Sequence, residues 1–186
     1  MEENKNQKGM DGGVATEVFF WAQALAVSLV VLVIINLFFF RMTGVVGGSM
    51  IPTLHEKDRV LVRVIGYNNP QHGDIVVVNA PQYEQGPLVK RIIGVGGDVI
   101  DIDKYTGAVY INGEEQYEPY ISELIRNRGD MDYPVTVPDG FVFFMGDNRN
   151  GSTDSRNSAI GMQPVSNIIG KVFYRIWPIQ DIGAVK

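Results

Sequence analysis

Between Phe19 and Phe40 the chain carries no charged residue. About 22 helical residues at 1.5 Å each reach roughly 33 Å, the hydrocarbon thickness of a bilayer. A core helix would be shorter and would show a polar stripe, but only Gln23, Ser28 and Asn36 interrupt this run. A cleavable leader needs its small-residue site after the apolar run, and the Ala22, Gln23, Ala24 triplet lies at its start. The segment therefore predicts one retained transmembrane helix over 18–40. Residues 1–17, polar and glycine-containing, read as a mobile tail, and 41–186 as one domain. Charge does not set the orientation, because Lys5 and Lys8 stand among Glu2, Glu3, Asp11 and Glu17, while Arg41, Lys57, Arg59 and Arg63 follow the span.

Beyond Arg41 the pattern changes to short β-branched runs over 59–65, 74–80, 88–94, 98–103, 108–112, 141–145 and 171–177. Gly, Pro and Asn punctuate them, which predicts strands and an all-β domain, barrel-like or sandwich-like. Asn112 and Gly113 are a hairpin-turn signal between Ala108 to Ile111 and the strand-like residues after Glu114. The 186 residues are 45% hydrophobic, enough for one core. A net charge of −5 without clustered Lys and Arg excludes a nucleic-acid partner. The absence of cysteine removes disulfides, thiolate metal sites and cysteine nucleophiles together. Gly94 to Gly97 has the wrong spacing for a phosphate cradle, and Asp98, Asp101 and Asp103 lack the spacing of a calcium loop. No metal and no cofactor is expected.

Three segments can carry chemistry. The first is GGSMIPTL, Gly47 to Leu54. Ser49 lies nine residues beyond Phe40, so even an extended chain holds its hydroxyl within about 30 Å of the bilayer. Gly47 and Gly48 allow close approach of backbone to a ligand, although by itself the segment also reads as a linker turn. The second is Lys90, which strand alternation places on one apolar face with Leu88 and Ile92, while Arg91 falls with Val89 and Ile93. An exposed lysine is neutral about one part in a thousand near pH 7.4, too rarely for a base. Held among apolar neighbours it becomes a neutral amine able to take a serine proton; on an edge strand it would snorkel to water instead. The third is the polar loop Gly146 to Arg156, in which Asp147, Asp154, Arg149 and Arg156 can form ion pairs and Ser152 can hydrogen-bond the lysine amine. Asn150 to Ser152 spells a glycosylation pattern too short to act upon. A Ser/His/Asp triad would have to use His55 or His72, the only two histidines.

In this order the segments resemble the type I signal peptidases, the bacterial Ser/Lys leader peptidases. The Ser-Met-x-Pro-Thr-Leu box matches Ser49 to Leu54, the Gly-Asp-Ile-Val box Gly73 to Val76, the lysine box Val89 to Asp98, and the Gly-Asp-Asn-Arg box Gly146 to Arg156. The resemblance implies a mainly β, signal-peptidase/LexA-like β-barrel domain behind a single N-terminal transmembrane helix. It implies Ser49 as nucleophile, Lys90 as general base and Ser152 as the group orienting the lysine. Asp147, Asp154 and Arg156 become structural supports, and Met50 and Ile51 part of the substrate surface. Gly47 stands where some members carry an oxyanion-hole hydroxyl, which leaves the hole to the Ser49 backbone N–H and a further backbone donor, as in Gram-positive members. Gly96 stands where the lysine box usually has proline, which should loosen that turn. Exported preproteins cut after small residues, an N-terminus in the cytoplasm and a catalytic domain outside it are implied in the same way. Two alternatives remain: a self-cleaving LexA-like peptidase, which would need an N-terminal DNA-binding domain, and an inactive assembly factor, which has no chemical need for both Ser49 and Lys90.

Overall fold

A computed structural model describes residues 7–83 and 86–185. Two compact units divide between Phe39 and Phe40. The first is one helix, α1 (Gln7–Phe39). Its stretch Gly13–Ile34 is long and apolar enough to cross a membrane. The described side chains there are exposed, Trp21 and Leu25 among them, as expected of a helix that is apolar all round and meant for lipid. Ser28 returns its hydroxyl to the Ala24 carbonyl at 2.7 Å, so that this polar group is satisfied within the helix. The helix begins ahead of the apolar run, and residues 7–17 are helical where composition suggested a mobile tail. Gly12 and Gly13 lower the propensity of that stretch but do not end a helix that is continuous with a long apolar one. Residues 1–6 of that expected tail lie outside the described residues.

Among the described residues the second unit has twelve strands: β1 (Phe40–Gly44), β2 (Arg59–Arg63), β3 (Ile75–Val78), β4 (Leu88–Val95), β5 (Val99–Ile102), β6 (Val109–Ile111), β7 (Glu114–Glu115), β8 (Val135–Thr136), β9 (Phe141–Met145), β10 (Gln163–Pro164), β11 (Ile168–Trp177) and β12 (Gly183–Ala184). All pairings are antiparallel. The larger sheet runs β1-β2-β11-β3-β4-β9-β10, with β12 beside β11, and the smaller runs β7-β6-β5-β8. Asn112 and Gly113 both take positive φ, 54° and 84°, and close the β6–β7 hairpin as a two-residue turn of this kind requires.

The central strands are buried on both faces, so they read as continuous apolar runs rather than alternating ones. Val76 and Val78 of β3 enter one core cluster with Leu88, Ile92, Val142 and Phe144. Ile75 and Val77 enter another with Val45, Met50, Leu54, Val60 and Val62. A third joins the two sheets through Ile93, Ile100, Ile102, Phe143 and Met145. Leu88 and Ile92, the two apolar neighbours expected to flank Lys90, share a cluster, while Ile93 falls in a different one. Gly96 sits where another stretch of backbone comes close. A Cβ there would stand 2.9 Å from the Asp139 Cα and 3.1 Å from the Pro138 carbonyl oxygen, so the missing side chain is what lets the two backbones meet.

Candidate active site

Ser49 follows Gly47, which adopts φ 77°, a left-handed conformation that glycine takes without strain. The chain then turns tightly: the Leu54 N–H donates to the Met50 carbonyl at 2.9 Å, and Met50 and Leu54 are packed into the core below. Their burial fixes the short segment that carries the serine.

Lys90 lies in β4, its Cα paired with Val76 of β3. Only 2% of the residue is exposed, and its Nζ lies 2.6 Å from the Ser49 Oγ. Burial pushes the Lys90 amine down to about 8; Asp154 and Asp147 pull it partly back, and Arg156 pushes it further down. Lys90 does not snorkel from an edge, because β4 is an inner strand paired with β3 and β9, and the side chain is buried. At pH 7.4 roughly a fifth of such amines are neutral, against about one in a thousand for an exposed lysine.

The loop after β9 surrounds this pair. The Asn148 N–H donates to the Ser49 carbonyl at 3.0 Å, and the Asn148 side-chain amide donates to the Gly48 carbonyl at 3.0 Å. The Ser152 hydroxyl donates to Asp154 at 2.7 Å and is not hydrogen-bonded to the lysine amine as expected; the amine's bond is to Ser49. Asp154 also accepts the Gly146 N–H at 3.0 Å and pairs with Arg156 through two guanidinium nitrogens, at 2.8 and 2.9 Å. Burial works against ionising Asp154, but the Arg156 guanidinium and these hydrogen bonds outweigh it and hold the carboxyl below its usual range.

Of the ion pairs expected within the loop, Asp154–Arg156 forms, while Asp147 and Arg149 take partners from outside it. Asp147 is bound by Arg91, whose Nε and Nη2 donate at 2.8 and 2.7 Å, and it accepts the Thr53 hydroxyl as well. Arg149 pairs with Glu118, from a segment 31 residues away. Sequence reasoning missed Thr53, Arg91, Glu118 and Asn148. Thr53, Arg91 and Asn148 sit inside the matched boxes, so their positions were visible even though their partners were not. The serine hydroxyl meets Lys90, while His72 is engaged at 2.6 Å with Asp98, away from the triad arrangement.

A cleft of about 440 Å³ is lined by Ser49 and Lys90 together with residues 41–46 and 87–89, Val62, Val77 and Ile169. Met50 lines it too. Ile51 lies outside the lining, partly exposed, its side chain next to Gly48.

The sequence matches the family model "Signal peptidase, peptidase S26" over residues 18–177. The chain is 34% identical to signal peptidase IB of Staphylococcus aureus strain COL, covering 89% of this chain and 92% of that one. It is 36% identical to signal peptidase I of Bacillus amyloliquefaciens, covering 91% and 93%. A solved signal peptidase I from Enterococcus faecalis V583 aligns with a TM-score of 0.45 at 28% identity, covering 55% of this chain and 96% of that chain. The family match and the two near-full-length relatives place this chain among the type I signal peptidases of the S26 family, which are serine endopeptidases.

Proposed function

We propose that this protein is a single-pass membrane enzyme that removes N-terminal leader peptides from exported preproteins, with Ser49 as nucleophile and neutral Lys90 as general base. The observation that carries this reading is the buried amine 2.6 Å from the serine hydroxyl. In the resting state a protonated amine donates to the oxygen; once neutral, it accepts the proton as Ser49 attacks the scissile carbonyl. The same ammonium then protonates the departing amine. Water, deprotonated by Lys90, hydrolyses the acyl-enzyme and regenerates the hydroxyl. The Ser49 backbone N–H, with a second backbone donor in the segment that Gly47 opens, takes the developing oxyanion.

An extended leader fits the cleft lined by residues 41–46 and 87–90, where β1 is an edge strand with one side unpaired by β2. Main-chain hydrogen bonds would hold it, and the valine lining leaves room for small side chains such as alanine at alternate positions. Ser152 keeps the lysine oriented through Asp154, to which it donates and which acts electrostatically on Lys90. Asp147 and Arg156 are structural supports. The N-terminus lies in the cytoplasm and the catalytic unit outside it, where leaders emerge.

The test is cleavage of a preprotein by the full chain in liposomes, with N-terminal sequencing of the mature product. A cut after a small-x-small pattern is expected; intact preprotein would overturn the reading. The pH profile of kcat/KM is expected to rise through about pH 8, because the active form is the neutral amine. An ascending limb near 6.5 would point to a histidine base instead. His55→Ala and His72→Ala are expected to keep activity within about twofold, since neither ring belongs to the serine–lysine pair, and loss of cleavage from either would revive the triad.

A further inference from the structure

Between β7 and β8 the chain runs for nineteen residues, 116–134, without a strand or helix. Its first part is bound to the catalytic loop at three places. Glu118 holds Arg149 through both carboxylate oxygens, at 2.7 and 2.6 Å, with side-chain exposures of 6% and 0%. The Tyr120 hydroxyl donates to the same carboxylate at 2.9 Å, and its ring lies against two guanidinium groups, 3.9 Å from Arg91 and 5.8 Å from Arg149. The Asn150 side chain bridges backbone to backbone: its oxygen accepts the Arg126 N–H at 2.8 Å, and its amide donates to the Leu124 carbonyl at 3.0 Å.

These contacts lead to the nucleophile. The Arg149 Nε donates to the Gly146 carbonyl at 3.1 Å, and its backbone N–H donates to the Asp147 carbonyl at 3.0 Å. Between them and Arg149 lies Asn148, which holds the Ser49 and Gly48 carbonyls. Arg91, under the Tyr120 ring, binds Asp147 in the same stretch. A buried arginine with a bidentate carboxylate is fixed in direction as well as position, and a fixed Arg149 leaves Gly146 to Asn148 a single register.

We propose that residues 118–126 are a positioning strap for the catalytic serine, in which Glu118 and Tyr120 act through Arg149 and Asn148 to set the orientation of the Ser49 backbone. This rests on Ser49 being the nucleophile. Glu118 and Tyr120 are positioning residues and touch no reacting atom. Their effect falls on kcat, since a nucleophile displaced by a fraction of an ångström binds substrate as before but attacks poorly.

The experiment measures kcat and KM on a preprotein with the full chain in detergent–phospholipid micelles, normalised to folded protein by near-ultraviolet circular dichroism. Glu118→Gln is expected to lower kcat 10- to 100-fold with KM within twofold, and Tyr120→Phe, which removes only the bond to Glu118, about threefold. Combining Glu118→Gln with Asn148→Ala is expected to cost no more than the worse single change, because both act on one register. Single losses that multiply in the double variant, or kcat per folded molecule unchanged in Glu118→Gln and Tyr120→Phe, would overturn the proposal. If Glu118→Gln does not fold, Tyr120→Phe takes its place in the cycle with the same two outcomes. Wild type and Lys90→Met run alongside: an inactive wild type refutes the peptidase reading, while an active wild type with fully active strap variants refutes only the strap.

Discussion

Lys90→Met is expected to abolish preprotein cleavage while making the fold more stable. Without a base the serine hydroxyl stays protonated, and loss of one member of such a catalytic unit lowers kcat by roughly 10⁴-fold or more. The stability change has the opposite sign. The amine is held at about 8 in the folded chain against 10.5 when exposed, so at pH 7 the fold buries an ammonium at a cost of about 3 kcal/mol. Methionine fills nearly the same volume without charge and gives up one hydrogen bond, worth about 1 kcal/mol. The net gain at neutral pH is therefore about 2 kcal/mol. Between pH 8 and 10.5 the unfolded chain holds the proton and the folded chain does not, so wild-type stability climbs with pH through that window. The advantage of methionine shrinks across the same window and reverses near its upper end, above which only the lost hydrogen bond remains. Denaturant unfolding of both proteins at pH 7, 9 and 10.5 checks the sign. A variant less stable than wild type at pH 7 would show that Lys90 is not buried at a cost, and one retaining a tenth of wild-type activity would show that it is not the base.

That opposition explains what the sequence could reveal about this site. Apolar neighbours two residues either side of Lys90 showed that a cation stands on an apolar face, because strand alternation is local, but they left open an edge strand from which it would reach water. The predicted strands at 59–65, 74–80, 88–94, 98–103, 108–112 and 141–145 lie within a few residues of the observed ones for the same reason. Residues 168–170, added ahead of the predicted 171–177, and the short strands β8, β10 and β12 carry too few residues for any periodicity. β1 was hidden for a different reason. Its first residue, Phe40, continues the apolar run of the helix in composition, and only its pairing with Arg63 of β2 makes it a strand. The ion pairs were the least legible part. Arg149 and Asp147 each had an oppositely charged residue nearby in the loop, yet they bind Glu118 and Arg91, brought close only once the sheets form. Charge along a loop shows that partners are needed, while the fold decides which ones arrive.

Gly146 is expected to tolerate no side chain, although nothing about its backbone demands glycine: it is absent from the residues with positive φ. The constraint is space. A Cβ would run into the Ser49 carbonyl oxygen and the Ser152 Oγ, and would stand 2.6 Å from the Ser152 Cβ, which no rotation of the hydroxyl moves. Ser152 could rotate its hydroxyl away, but that would break its bond to Asp154. The Ser49 carbonyl is backbone and is held by the Asn148 N–H, so it cannot yield without moving the nucleophile itself. Relief must then come from a shift of close to 1 Å in one of the two segments that the reaction needs in register. A displacement of that size costs about 100-fold in kcat, and the overpacking costs about 1–3 kcal/mol of stability. Gly183→Ala supplies the contrast, since a Cβ there meets nothing within 4 Å and the residue lies in β12, outside the cleft. Measured side by side, Gly146→Ala should lose both turnover and thermal stability, and Gly183→Ala neither. Full turnover in Gly146→Ala would mean that the loop can withdraw from Ser49 without consequence, and the close packing around the nucleophile would have no part in the rate.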